Sequence, residues 1–214
     1  MNKFLKTKAE ADAGTAWIKS KGLINHDFSC KDWDISLILP ELKDGDLLDM
    51  GSNGSFLLPN AVKLGIKGRK CGIDLGNPEY DLAGIDYVRG NLMSCPYDDN
   101  SFDTITCLSV IEHEVDYDKL AKECSRLLRK NGKLYITFDF WWIKIDTKGI
   151  KLYDLEWNVL DTRDVKKLID ALNYHGLTML GTMDWGVQDA VINPQFCAPY
   201  EKSYTFGILT FTKL

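Results

Sequence analysis

Along this chain, short apolar runs alternate with stretches whose apolar residues recur at helical spacing. Asp46–Met50, Lys70–Asp74, Ile85–Val88, Phe102–Leu108 and Lys133–Phe138 read as strands, followed later by Leu177–Met183 and Tyr204–Thr212. In "DYDKLAKECSRLLRKNG" Leu120, Cys124, Leu127 and Leu128 share one helical face, acidic residues open the helix, and Gly132 closes it. In "DTRDVKKLIDALNYHG" the stripe is Val165, Leu168, Ile169 and Leu172, with Asp161 or Thr162 as cap and Gly176 as stop. Residues 9–20 and 32–39 read as helices ahead of the first strand. Strands alternating with helices predict βαβ units around a parallel sheet. The last two strands are joined by Asp184–Ser203, rich in Pro, Asn and aromatic residues. A connection of that length in a compact domain is usually functional or mobile.

At 214 residues the chain suits one α/β domain with a substantial core. Its 45% hydrophobic and 27% charged residues are ordinary for a soluble globular protein. The net charge of −5 argues against broad, backbone-driven nucleic-acid binding. No apolar run approaches the ~20 residues that span a bilayer. The opening "MNKFLKTKAEADAG" lacks an apolar core followed by a cleavage-type site, so no signal peptide is expected. Cys30, Cys71, Cys95, Cys107, Cys124 and Cys197 contain no C-x-x-C pair, and Cys71 and Cys107 read as small core residues. The expectation is a reduced, cytoplasmic setting without a structural zinc site.

Candidate chemistry begins in "LLDMGSNGSFLLPNAVKLG", Leu47–Gly65, an apolar run, a small-residue turn and a helix. Gly51 permits a tight turn after Asp49, Gly54 a second close approach, and the helix that follows offers unpaired N–H groups. Between them are Ser52 and Asn53. Asparagine enters left-handed backbone more readily than most residues, so Asn53 can stand where glycine often does. Ser55 can cap a helix beginning near Phe56, with Pro59 harmless in its first turn. The plain alternative is a well-made βα turn. Asp74 ends the second strand 23 residues after Gly51, in "CGIDL". A carboxylate at that spacing lies beside the loop and can accept both hydroxyls of a ribose, or else caps a helix. Together the two features point to a nucleotide-like ligand without saying which.

The segment "VRGNLMSCPYDDNSFDTITCLSVIEHE", Val88–Glu114, resembles the region after the third strand of class I S-adenosylmethionine-dependent methyltransferases. Gly90, Pro96, Tyr97, Asp99, Ser101, Phe102 and Asp103 match that family's pattern, and Asn91 replaces its usual Asp. "LLRKNGKLYITF" is similar to the family's helix and fifth strand, and "YTFGILTFTKL" to its last antiparallel strand. The resemblance implies a Rossmann-like three-layer αβα sandwich around a seven-stranded mixed sheet of order 3-2-1-4-5-7-6, strand 7 antiparallel. Residues 1–40 would be an N-terminal helical segment and candidate lid, and residues 41–214 the methyltransferase domain. The cofactor would be S-adenosylmethionine, lying across the carboxyl ends of strands one, two and four. Asp49, Gly51, Ser52, Asn53 and Gly54 would meet its methionine part, and Asp74, beside Leu75, its ribose. Asn91 and Leu92 would border the adenine, and Ser109 would lie near the amino group. An Asn at 91 can still accept from the adenine amino group.

Methyl transfer from a charged sulfur needs chiefly alignment, worth roughly 7–11 kcal/mol, and a hydroxyl acceptor also needs a base. His113, in "SVIEHE", and Asp139, after "YITF", are the candidates; otherwise they are a loop hydrogen bond and a cap. Val110-Ile111-Glu112-His113 is similar to a turn of the RNA 3′-terminal 2′-O-methyltransferases and the ubiquinone-type O-methyltransferases, but Ser109 replaces their first Glu. Two candidate ligands are too few for a metal, and neither His26 nor His175 is placed to add another. Phe140, Trp141, Trp142, Tyr153 and Trp157 either shape an acceptor pocket or pack against the sheet edge, and Trp185 could cover the same opening. The expected activity is methyl transfer to a small-molecule hydroxyl, on a saccharide, nucleotide-sugar or phenol-like acceptor. Its rivals are a metal-assisted RNA methyltransferase and a non-catalytic domain of the same fold.

Overall fold

A computed structural model describes residues 1–78, 80–186, 189–194 and 201–214. The elements run β1 (Lys3–Phe4), α1 (Lys8–Ser20), α2 (Ser29–Ile38), β2 (Leu47–Met50), α3 (Leu57–Lys63), β3 (Lys70–Asp74) and β4 (Asp86–Arg89). Then follow β5 (Phe102–Leu108), α4 (Tyr117–Leu127), β6 (Leu128–Phe140), the small hairpin β7 (Lys151–Leu152) and β8 (Leu155–Glu156), α5 (Thr162–Tyr174), β9 (Leu177–Met179) and β10 (Thr205–Lys213).

The main sheet has the order β4-β3-β2-β5-β6-β10, with β9 paired to the far side of β10. β2 through β6 are parallel along this path, and β10 is antiparallel to both neighbours. Leaving β1 and the hairpin aside, this is the expected 3-2-1-4-5-7-6 arrangement. The sequence did not announce β1, which pairs Lys3 with Ile208 and Phe4 with Gly207 on the β10 edge that β9 also uses. Every residue of β2 is buried, as a central parallel strand requires.

Helices cover both faces. On one, Leu120, Cys124 and Leu127 of α4 and Val165, Leu168 and Leu172 of α5 pack with Leu48, Ile105 and Ile136. On the other, Ala11, Ile18, Trp33, Ile35 and Ile38 of α1 and α2 join Leu57 and Ala61 of α3 over Tyr135, Phe206 and Ile208. The first forty residues thus supply an edge strand and much of one helical layer. Gly14 allows the α1–α2 crossing, since a Cβ there would stand 2.9 Å from Ser36 Oγ. Cys71 and Cys107 lie in the core, as expected.

Two boundaries differ from the expectation. α4 ends at Leu127 rather than near Gly132, because Leu128 onward is drawn into β6, with Leu128 opposite Phe102. β9 stops at Met179 rather than Met183. Part of the long connection expected after it, including Cys197, lies outside the described residues. Among the described residues, no helix is long and apolar enough to cross a membrane.

Candidate active site

The chain leaves β2 through a turn that only glycine can make. Gly51 has φ +78°, donates its N–H to the Ile73 carbonyl at 2.8 Å, and would place a Cβ 2.2 Å from Val110 Cγ2. Gly54, at φ +70°, makes the second left-handed step. Asn53 does not share this backbone, so conformational likeness to glycine is not what keeps it there. Its N–H instead donates to Asp74 Oδ2 at 3.1 Å, while Gly76 N–H donates to Asp74 Oδ1 at 2.8 Å. Two backbone donors therefore hold the Asp74 carboxylate against the turn, and it caps no helix.

Several buried polar atoms around this turn have no protein partner: Ser52 Oγ, Asn53 Oδ1, Asp49 Oδ2 and Ser109 Oγ. Such atoms cost stability unless a ligand or water meets them, and they gather where the sequence placed a cofactor. Asp49 Oδ1 accepts from the Thr106 hydroxyl at 2.6 Å, and burial pushes its pKa up to about 7, with Thr106 opposing. Ser109, just past β5, adopts φ +54°, and its N–H donates to the Thr137 carbonyl and hydroxyl, each at 3.1 Å. Asn91 and Leu75 are exposed; Asn91 Oδ1 accepts from Met93 N–H at 2.9 Å, and Leu92 packs partly on the core.

A second cluster forms beyond β5 and β6. Asp139 accepts from Trp157 Nε1 at 2.7 Å through Oδ2, while its buried Oδ1 has no partner. Glu112 is 1% exposed, with Oε2 equally unpartnered. His113 meets the Tyr153 ring edge-on at 5.9 Å and is bridged to Trp157 through its backbone. Burial, and then the charge of Asp139, raises the Glu112 pKa well above the carboxylate range. Burial raises Asp139 to about 6 against the pull of Lys31 and the Trp157 donor. Burial, and then the Lys31 charge, brings His113 down to about 4.

The sequence reading overlooked what α2 contributes here. Burial disfavours the Lys31 ammonium, but Asp139, Glu112 and Asp34 outweigh it and raise its pKa. That ammonium lies 4.7 Å from the centre of the Phe206 ring, and Phe206 is the register partner of Asp139. Asp34 accepts from Thr137 Oγ1 at 2.8 Å, two residues before Asp139 and so on the same face of β6. The sequence carried no local signal for this, because only the fold buries Asp32 and Asp34 of "SCKDWDISLI" either side of Trp33. Trp157 and Phe140 are fully packed, as the plainer reading of the aromatic run held, whereas Tyr153 is 80% exposed. Among the described residues, no three His, Cys, Asp or Glu side chains are grouped to hold a metal.

Residues 48–136, from the central strand through most of β6, match the methyltransferase domain family. Over that stretch the chain is similar to the class I S-adenosylmethionine-dependent methyltransferases. A ubiquinone biosynthesis O-methyltransferase of Pelagibacter ubique is 29% identical over 150 residues, 65% of this chain and 61% of that protein. The chain spans less than two thirds of the length of the curated relatives it matches. Among solved structures, the cyclase SpnF superposes with a TM-score of 0.63 at 17% identity, over 98% of each chain. A phosphoethanolamine N-methyltransferase of Haemonchus contortus, solved with S-adenosylmethionine, gives 0.62 at 15% identity, over 95% of this chain and 57% of its own. Those likenesses establish the methyltransferase fold and nothing finer, and SpnF carries that fold under the name of a cyclase.

Proposed function

We propose that this methyltransferase binds S-adenosylmethionine across the carboxyl ends of β2, β3 and β5 and transfers its methyl group to a hydroxyl of a small molecule. The observation that carries the reading is the join of the glycine turn to Asp74, with four buried polar atoms left unpartnered around it. The residues fit the cofactor. Ser52, Asn53 and Ser109 offer polar atoms to its methionine end, Asp49 its free oxygen, and Asp74 a bidentate acceptor for the ribose. Asn91 and Leu92 would border the adenine. When bound, the cofactor supplies a methyl group on a positively charged sulfur.

The protein's part is to align an acceptor and remove its proton. Asp139 suits that task better than His113. With a pKa near 6 it is ionised at neutral pH and still basic enough to accept a hydroxyl proton on its unpartnered Oδ1. His113, lowered to about 4, is the weaker base. Glu112, its pKa raised by burial and then by the Asp139 charge, keeps an unpartnered Oε2. The ubiquinone biosynthesis O-methyltransferase among the relatives supports a hydroxyl acceptor, phenol-like or sugar-like. The net charge of −5 favours a small molecule over a nucleic acid, in a cytoplasmic setting.

Isotope-labelled S-adenosylmethionine offered with a panel of phenols and saccharides tests this directly. Turnover should rise with pH through about 6, as Asp139 loses its proton. Asp139→Asn should lower turnover roughly 10²–10⁴-fold without changing cofactor affinity. Full activity in that variant would remove Asp139 from the role. Cofactor binding without turnover on any acceptor would favour a non-catalytic domain.

A further inference from the structure

The connector between α1 and α2 is tied to the glycine turn. Asn60, fully buried in α3, accepts from Ile24 N–H at 2.7 Å and donates through Nδ2 to the Ile24 carbonyl at 2.8 Å. Two residues on, the His26 ring lies 4.5 Å from Phe56, which precedes α3. Its Nε2 is 3.1 Å from the Gly54 carbonyl, and its Nδ1 is 3.2 Å from Asp32 Oδ1. Asp32, fully buried on α2, also accepts from His26 N–H at 2.9 Å and from the Thr15 hydroxyl of α1 at 2.7 Å. A carbonyl only accepts, so the Nε2 contact places a hydrogen on that nitrogen, while Nδ1 faces the Asp32 carboxylate.

We propose that His26 is a positioning residue for the cofactor turn, its ring bridging the Gly54 carbonyl and the buried Asp32 so that the Gly54–Ser55 peptide plane is locked to the N-terminal segment. The inference rests on the cofactor reading above only for its effect on binding; the link itself is present without ligand. The turn needs such a lock. Its two left-handed glycines are the positions with most freedom to lose, and each conformation they sample without the cofactor lowers affinity. His26 holds the second glycine from outside, as the Asp74 carboxylate holds Asn53 from the β3 side. Residues 1–40 would then act as a fixed wall of the cofactor site.

The test uses the full chain and two variants. His26→Phe keeps a ring on Phe56 and removes both ring nitrogens, while His26→Gln restores a side-chain donor within reach of the Gly54 carbonyl. In the unliganded protein, ring nitrogen NMR should show a hydrogen on His26 Nε2. Amide exchange over residues 51–56 should quicken about tenfold in His26→Phe and not in β5 or β6. Calorimetric titration with S-adenosylhomocysteine should show about tenfold weaker binding in His26→Phe, recovered within about threefold by His26→Gln. Unchanged exchange in the turn, or a ring with a bare Nε2, overturns the proposal, as does unchanged affinity in His26→Phe. Failure of the unaltered chain to bind S-adenosylhomocysteine would instead sink the cofactor reading, and NMR and exchange would still judge the link.

Discussion

Asp49 shows how one residue of the central strand couples the site to the pH dependence of the fold. It is fully buried, receives one hydrogen bond from Thr106, and keeps a free oxygen. Burial raises its pKa to about 7, so the folded chain holds a proton that the unfolded chain has released near the ordinary carboxylate range. A raised folded-state pKa contributes stability that is present at low pH and lost as pH rises through about 7. Asp49→Asn keeps the shape and removes the titration. Denaturant unfolding at about pH 5 and about pH 8 should show the unaltered chain losing up to about 3 kcal/mol more than the variant. Equal losses would contradict the assignment. Gly51 and Asp74 were legible in the sequence because each answers to its neighbours in the chain, a strand end and a fixed spacing. Asn53 was legible as a turn residue but for the wrong reason, since what holds it is a hydrogen bond to Asp74, 21 residues away.

At the scale of elements, the parallel strands were legible because each is a short apolar run between turn signals. The end of α4 was not, because Leu128–Gly132 carries a helical pattern locally and is taken into β6 by pairing with β5. α2 presents the same problem in reverse. Its Lys31 and Asp34 look like ordinary helix charges until the fold sets them against Asp139 and Thr137 on β6. The consequence can be measured. Lys31→Met removes the cation that favours ionised Asp139, so the rising limb of the pH–rate profile should move above about 6. A loss of rate with the limb unmoved would assign Lys31 to packing alone. The capping box of α5, Asp161 with Asp164, is a boundary that sequence and structure place alike, since a cap is local chemistry.

Over the whole molecule, strand order explains why the site lies where it does. β3 and β5 flank β2 and lead the chain in opposite directions across the sheet, opening a crevice at the carboxyl ends of these strands. The glycine turn, Asp74 and Ser109 border it, and the Glu112–Asp139 cluster stands beside it at the ends of β5 and β6. The three-layer architecture, the glycine turn and the placing of Asp74 beside it could be read from ordered local motifs. The cluster around Asp139 could not, because Lys31, His113, Asp139 and Trp157 come from four separate segments that only the folded sheet brings together. The central claim is that this crevice binds S-adenosylmethionine through the turn and Asp74, and calorimetric titration of the full chain with S-adenosylhomocysteine tests it most directly. The account predicts saturable one-to-one binding, weakened about 100-fold in Asp74→Ala as two hydrogen bonds to a carboxylate are lost. No binding at millimolar concentration, or equal affinity in Asp74→Ala, would contradict it.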